Sequence, residues 1–205
     1  MQAFEDSDDP AATTRRRPFT ASRGQKVRGE GDLIAHIGRA SAGTHTDDLQ
    51  LDVSAFLVGA DNQVVEGDRT YCVFYNNHLS ADRSTRFLED VSDGSEFIRT
   101  HLRDVEAAVQ KIVFGVSIYD AEVLHHTFGS VSDARFWIEG QVLNQTGLSE
   151  IQSDDLSKLF PTYAAVVIGE VYRSGRTWDY RPLGGGHTYA NLTEMGRAYG
   201  VQFDE

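Results

Sequence analysis

The sequence has few of the features that mark disulfide-rich, proline-rich or membrane-spanning proteins. It contains one cysteine among 205 residues, so no internal disulfide can form. It contains four prolines and no apolar run of about 18 residues, the length that predicts a transmembrane helix. The first residues also lack the apolar stretch of a signal peptide. We therefore expect a protein of the reducing cytoplasm.

Basic residues are also in deficit, and this narrows the classes of partner. Lysine and arginine together number 19 against 31 aspartates and glutamates, which gives a formal net charge of −12. Proteins that bind nucleic acid need a basic surface to neutralise phosphates. We therefore predict no nucleic-acid partner, and the acidic balance instead favours cations.

The charge is distributed unevenly near the N-terminus. Four acids in the first ten residues are followed by Arg15, Arg16 and Arg17 and further basic residues, with almost no apolar residues between them. Such a segment buries too little apolar surface to fold alone. We predict a flexible N-terminal arm over residues 1–30 and one domain over 31–205. The basic cluster is interpreted either as a solvated tail or as a docking element for an acidic partner, with a protein favoured over peripheral contact with a membrane.

The rest of the chain is dominated by strand patterns. In "LQLDVSAFLVG" apolar residues alternate with a period of two, which predicts a strand with one buried face. Further β-branched and aromatic runs include "RTYCVFY", "EFIRTHL", "KIVFGVSIYD", "ARFWIEGQVLN", "YAAVVIGEVYR" and "TWDYRPL". Turn signals such as "NQTG" and "RSGR" separate them. The pattern predicts an all-β protein, an antiparallel β-sandwich of two sheets. A short C-terminal helix is predicted after Thr188 as N-cap, ending at Gly200.

Several of these segments resemble the TerD family of tellurium-resistance and stress-response proteins. The segments are "LQLDVSAFLVGADNQV", "YCVFYNN", "KIVFGVSIYDAE", "VIGEVYRSGRTWDYRPLGGG" and "LTEMGRAYGV". They occur in the family's order over about residues 24–203. The resemblance implies a β-sandwich of two sheets with calcium bound in loops at one end.

The resemblance also implies a set of calcium ligands. It matches Asp52, Asn76, Asn77 and Glu96 to family positions, and the acidic loop adds Asp93, so the predicted ligands are Asp52, Asn76, Asn77, Asp93 and Glu96. They supply the carboxylate and amide oxygens that Ca²⁺ prefers. Family members have a longer, more acidic loop where this chain has "LEDVSDGSE", and the first Asp of their "DLD" pattern is Gln50 here. We therefore predict one weakened calcium site, and the alternative is a loop that no longer binds calcium.

No pattern of catalytic residues supports an enzyme. No serine lies in a G-x-S-x-G turn, and Cys72 has no histidine near it in sequence. We predict a non-enzymatic stress or tellurite-response protein that binds Ca²⁺ and acts through protein–protein contacts, with other stress proteins or a larger assembly as partners. The alternative is a calcium-independent component of a larger complex, docked by its N-terminal arm. The sequence predicts no oligomeric state.

Overall fold

The computed structural model describes residues 27–39, 50–90, 95–131, 133–142, 146–175, 177–183 and 187–203. Residues 1–26, which form most of the predicted arm, lie outside these ranges. The first strand begins at Val27, within the segment 1–30 that we assigned to the arm. Among the described residues, no helix has the length and apolar character needed to cross a membrane.

Strands make up most of the described chain. They are β1 (Val27–Arg39), β2 (Leu51–Val58), β3 (Cys72–Val73), β4 (Thr85–Asp90), β5 (Ser95–His101), β6 (Lys111–Ile118), β7 (Ala134–Val142), β8 (Ser149–Asp155), β9 (Ala165–Ser174), β10 (Thr177–Pro182) and β11 (Thr188–Tyr189). The helices are α1 (Ala121–Leu124), α2 (Leu156–Leu159) and α3 (Leu192–Ala198). Short 3₁₀ turns lie at Val65–Gly67, Arg69–Tyr71 and Phe128–Ser130.

The strands form two antiparallel sheets, as the sequence pattern predicted. The first sheet has the order β3-β2-β6-β9-β10, with β11 also on β9, and the second has the order β4-β5-β1-β7-β8. Strand β1 belongs to both sheets. Its first residues, Val27 to Gly29, pair with β10, and the stretch from Asp32 to Ile37 pairs with β5. Gly31 lies at the crossing with a φ of +85°, a conformation that glycine adopts without strain.

Strand β2 is buried on both faces, whereas its alternating pattern predicted one buried face. Val53, Ala55 and Leu57 face away from the side that α3 covers, and all are fully buried. Phe56 is also fully buried and stacks on Tyr199, with ring centroids 5.1 Å apart. The C-terminal helix and the residues after it therefore cover the outer face of the first sheet, and the even-numbered residues of β2 lie beneath them.

The C-terminal helix is confirmed, but it begins later than predicted. Thr188 lies in strand β11 and does not cap the helix. Asn191 is the N-cap: its side chain accepts a hydrogen bond from the backbone N–H of Glu194 at 2.8 Å, and the Glu194 carboxylate accepts one from the Ala190 N–H at 2.6 Å. This reciprocal arrangement satisfies two backbone donors at the start of the helix. Gly200 follows the helix with a φ of +78°, as predicted for its end.

The predicted strand "RTYCVFY" is largely replaced by turns. Only Cys72 and Val73 form a strand, and Arg69–Tyr71 is a 3₁₀ turn. Asp68 explains the difference, because its carboxylate accepts a hydrogen bond from the N–H of Thr70 at 2.8 Å and so favours the turn. Strand β3 is therefore short, and it pairs with β2 only at Ala55 and Phe56.

Candidate metal centre

Asp52 is a buried carboxylate on the outer face of the first sheet. It lies near the start of β2, opposite Ser117 of β6. Both side chains are 2% exposed. Neither Asp52 Oδ1 nor Ser117 Oγ has a hydrogen-bond partner among the described residues. Buried polar oxygens are nearly always paired, so this end of the sheet has unused capacity to bind a donor or a cation.

Glu96 approaches Asp52 from the second sheet. It is 6% exposed and lies near the start of β5. Its carboxylate accepts a hydrogen bond from the backbone N–H of Val53 at 3.2 Å and one from the Gln50 amide at 3.5 Å. The Val53 N–H lies beyond the short pairing of β3 with β2, so this part of the strand edge is open to the Glu96 side chain.

Burial destabilises the charged forms of both carboxylates. Burial, followed by the charge of Glu96, raises the pKa of Asp52 to about 7. Burial also raises the pKa of Glu96 to about 7, although the hydrogen bonds from Val53 and Gln50 oppose the shift. Two buried acids that hold protons near neutral pH are the arrangement that a bound cation would relieve.

The two predicted asparagine ligands have different roles. Asn77 points its amide inward, where Nδ2 donates to the carbonyl of Thr70 at 3.2 Å and to that of Cys72 at 2.7 Å. These bonds close the turn after β3. Asn76 is exposed and lines the cleft that also contains Asp52. Adjacent residues in a turn point in different directions, so only one of the two amides faces the candidate site.

Asp52 and Ser117 line a cleft of about 300 Å³ at this end of the sandwich. Its walls include Tyr75, Tyr119 and Phe203, and its rim carries further acids and amides: Asp120, Glu122 and Asn191. Glu96 does not line the cleft itself, but its carboxylate lies beside the backbone of Val53 and close enough to Asp52 to raise the pKa of Asp52. The carboxylate, hydroxyl and amide oxygens at the cleft are the hard ligands that suit Ca²⁺.

The structure brings together part of the predicted ligand set. Asp52 and Asn76 share the cleft, and Glu96 is adjacent to Asp52, whereas Asn77 stabilises the turn. Asp93 lies outside the described residues. Within the described part of the chain, no group of three or more His, Cys, Asp or Glu side chains is placed to hold a metal ion. A calcium site here would depend on two carboxylates supplemented by neutral oxygens.

Sequence reasoning missed two residues of this site. Gln50 was noted as a lost carboxylate, but its amide donates to Glu96. Ser117 was treated only as part of a strand, although its position opposite Asp52 follows once β2 and β6 are paired in register. The sequence carried a signal for Ser117, because it is the one hydroxyl side chain among the apolar residues that follow Lys111 in the strand "KIVFGVSI".

The chain matches proteins with known names over most of its length. The sequence profile of the TerD domain matches residues 24–199. The tellurium resistance protein TerD of Serratia marcescens is 32% identical over 175 residues, covering 83% of this chain and 88% of that protein. General stress protein 16U of Bacillus subtilis (strain 168) is 29% identical over 160 residues, covering 76% of this chain and 79% of that protein.

A solved structure shows the same fold. The homologue of telluride resistance protein (TerD) from Streptomyces coelicolor A3(2) superposes with a TM-score of 0.61 at 18% identity, covering 81% of this chain and 98% of that one. The fold and the matches together define a TerD-type β-sandwich. The chain belongs to the TerD family of tellurium-resistance and stress-response proteins.

Proposed function

We propose that this TerD-family protein binds Ca²⁺ at the Asp52–Glu96 end of the sandwich. The observation that supports the proposal is the buried Asp52 carboxylate, which has an unpaired oxygen and lies beside a second buried carboxylate. Glu96 accepts hydrogen bonds from two uncharged groups, the Val53 N–H and the Gln50 amide, and the charge that acts on Asp52 is the negative charge of Glu96. A divalent cation would neutralise both groups and accept the free Oδ1 as a ligand.

The ligands in this proposal are the carboxylates of Asp52 and Glu96, the amide oxygen of Asn76 and the hydroxyl of Ser117. Asp93 remains a predicted fifth ligand. Calcium affinity rises with the number of charged ligands, and Gln50 stands where the family pattern has an acid. We expect a dissociation constant on the order of 10⁻⁶ to 10⁻⁴ M, the range of sensor sites and weaker ones.

Thermal unfolding of the full chain in EDTA and in millimolar calcium tests this proposal. At free calcium of about 100 times the dissociation constant, binding adds about 2.7 kcal/mol to the free energy of unfolding. We expect a clear rise in melting temperature with calcium and a much smaller one with the same concentration of magnesium, which demands octahedral geometry at shorter distances. A melting temperature indifferent to calcium would show that the site no longer binds it.

The second candidate is a calcium-independent assembly component, and the Gln50 amide favours it. Its hydrogen bond to Glu96 at 3.5 Å supplies a neutral partner where a cation would otherwise be needed. In this case Asp52 and Glu96 hold protons in place of a metal. Isothermal titration would then show no calcium binding, and the loops at this end would serve only as a protein-binding surface.

In either case we propose a non-enzymatic, cytoplasmic protein that acts in a stress or tellurite response through contacts with other proteins. The acidic surface and the net charge of −12 support partners with basic surfaces and disfavour nucleic acid. Affinity purification from stressed and unstressed cells tests the proposal. Recovery of the same protein partners with wild type and with an unrelated acidic control would contradict it.

A further inference from the structure

The acidic cleft at the Asp52–Glu96 end of the sandwich has the chemistry of a guanidinium-binding site. Asp52 Oδ1 and Ser117 Oγ line it, are buried and lack hydrogen-bond partners among the described residues. Asp120 and Glu122 add carboxylates at the rim. A guanidinium presents five N–H donors and a positive charge, so it satisfies unpaired oxygens and compensates buried carboxylates together.

The walls of the same cleft suit a flat cation and an apolar neighbour. Tyr75 and Tyr119 pack edge to face, with ring centroids 6.1 Å apart, and both line the cleft. Aromatic rings of this kind attract arginine. Beside them α1 exposes apolar side chains, since Val123 is 76% exposed and Leu124 is 45% exposed. A ligand that carries arginine next to an apolar residue would match both parts of this surface.

The chain itself carries such a segment. Arg15, Arg16 and Arg17 are followed directly by Pro18 and Phe19. They form the most concentrated basic cluster in a sequence with a net charge of −12. The segment therefore offers positive charge for the acids of the cleft and an aromatic ring for Val123 and Leu124.

The segment can reach the cleft from where β1 begins. Val27 lies opposite Tyr180, Tyr180 opposite Val171, and Val171 opposite Ile112 of β6. The path from Val27 to Ser117 crosses about three strand spacings of roughly 4.8 Å and then runs about five residues along β6. The straight-line distance between the two residues is therefore about 22 Å. About ten residues connect Arg17 to Val27, and extended they span about 33 Å.

We propose that the segment from Arg15 to Phe19 docks into the Asp52 cleft of its own chain. One arginine lies against Asp52 and Ser117 beside the two tyrosines, and Phe19 contacts the apolar side chains of α1. The docking itself needs no calcium. Its consequence rests on the proposed function: the arginine and the calcium ion use the same Asp52 oxygen, so the arm competes with calcium.

Nuclear magnetic resonance of the full chain in EDTA at low ionic strength tests the docking. The triple substitution Arg15→Ala, Arg16→Ala and Arg17→Ala should shift the amide resonances of Ser117, Tyr119 and Val123. High salt should shift wild type in the same direction, because screening weakens the ion pairs. The matched control Arg23→Ala with Lys26→Ala removes charge from the same region and should leave these resonances in place.

Two results would overturn the docking. Unchanged amides of Ser117 and Tyr119 in the triple variant would exclude the arm from the cleft. Shifts that depend on protein concentration would assign the cleft to the arm of a second copy.

Calcium titration then separates this proposal from the proposed function. If the arm occupies the cleft most of the time, the triple variant should bind calcium about 5- to 10-fold more tightly than wild type at low salt. The difference should disappear at high salt. Amide shifts without calcium binding in either protein would support the docking and overturn the calcium site. Equal calcium binding in both proteins without amide shifts would support the calcium site and overturn the docking.

Discussion

Two buried carboxylates in the first sheet, Glu170 and Asp52, have neighbours of opposite charge. Glu170 of β9 is 4% exposed, and its carboxylate pairs with the Lys111 ammonium at 3.2 Å and with the Arg181 guanidinium. Asp52 of β2 is 2% exposed and has a carboxylate, Glu96, as its neighbour. Both sites bury negative charge, but of the two only the Glu170 site is paired with cations from neighbouring strands.

The difference separates a structural acid from a binding acid. A buried charge that the fold compensates internally has no need of a ligand, and its partners are fixed by strand register, as Lys111 and Arg181 are around Glu170. A buried charge without such partners costs free energy until something outside the fold compensates it. The comparison supports the proposed binding at the Asp52 end, and the experiments below test each side of it.

Removing the internal cations from Glu170 should give the largest effect. The double substitution Lys111→Met with Arg181→Met leaves a buried carboxylate uncompensated, and we expect a loss of about 3–5 kcal/mol in the free energy of unfolding. Urea unfolding measures it. Adding Glu170→Gln to the same background should restore most of the loss. If the triple variant is as unstable as the double, packing of the long side chains and not charge stabilises this site.

The pH dependence of stability should report the uncompensated pair. The pKa values of Asp52 and Glu96, raised to about 7, exceed the values of about 4 expected in the unfolded chain. The native state therefore holds more protons than the unfolded state between about pH 4 and 7, and the free energy of unfolding falls as pH rises through that window. We expect a decrease of about 2–4 kcal/mol in EDTA at high salt, where the arm does not occupy the cleft.

Calcium should reverse this trend in urea unfolding measured across the same pH range. The cation binds the ionised carboxylates, so the stabilisation by calcium should grow as pH rises. A stability in EDTA that is flat or rises between pH 5 and 8 would contradict the raised pKa values. The variant Asp52→Asn with Glu96→Gln is the control and should lose the dependence.

The single substitution Asp52→Asn should have opposite effects with and without calcium. At pH 8 in EDTA and high salt, where screening keeps the arm out of the cleft, it removes an uncompensated buried charge, and we expect a gain of about 1–3 kcal/mol in the free energy of unfolding. In millimolar calcium it removes a ligand, so the melting temperature should no longer respond to calcium. Differential scanning calorimetry in both buffers measures the two effects. Destabilisation in EDTA would show that Asp52 is compensated after all.

The asparagine pair should give the smallest effects. Asn77→Ala removes two hydrogen bonds to backbone carbonyls, and we expect a loss of about 1–2 kcal/mol in EDTA. Asn76→Ala removes an exposed side chain and should change the stability in EDTA by less than about 0.5 kcal/mol. Calcium affinity measured by titration should instead fall in Asn76→Ala. Equal effects of the two substitutions on stability would contradict their separate roles.

The sequence predicted the fold better than the surroundings of the site. Period-two patterns and turn residues predicted the antiparallel sandwich, because the alternation that buries an inner face and the turns that pair neighbouring strands are both visible in short segments of sequence. Burial of the Asp52 side was not predicted, since it depends on α3 covering the outer face of the first sheet, and the helix lies about 140 residues further along the chain. The pattern of one strand carries no information about what packs on its second face.

The predicted ligands also differ in how much of their role the sequence could reveal. Asp52 and Glu96 were matched through the resemblance to the TerD family, and the structure brings them together. Asn76 and Asn77 have the same side chain in the same turn, so only the backbone conformation decides which amide faces inward. The shortness of β3 likewise depended on one local hydrogen bond from Thr70 to Asp68, which competes with strand pairing.

Strand β1, which pairs with both sheets, has a consequence for how the domain unfolds. Detaching either sheet requires breaking hydrogen bonds of the same strand, from Val27 to Gly29 on one side and from Asp32 onward on the other. The two sheets are therefore expected to lose protection from amide hydrogen exchange together, as one cooperative unit. A cation held between Asp52 of one sheet and Glu96 of the other would join them a second time, so its release would loosen the domain at the end opposite the Gly31 crossing.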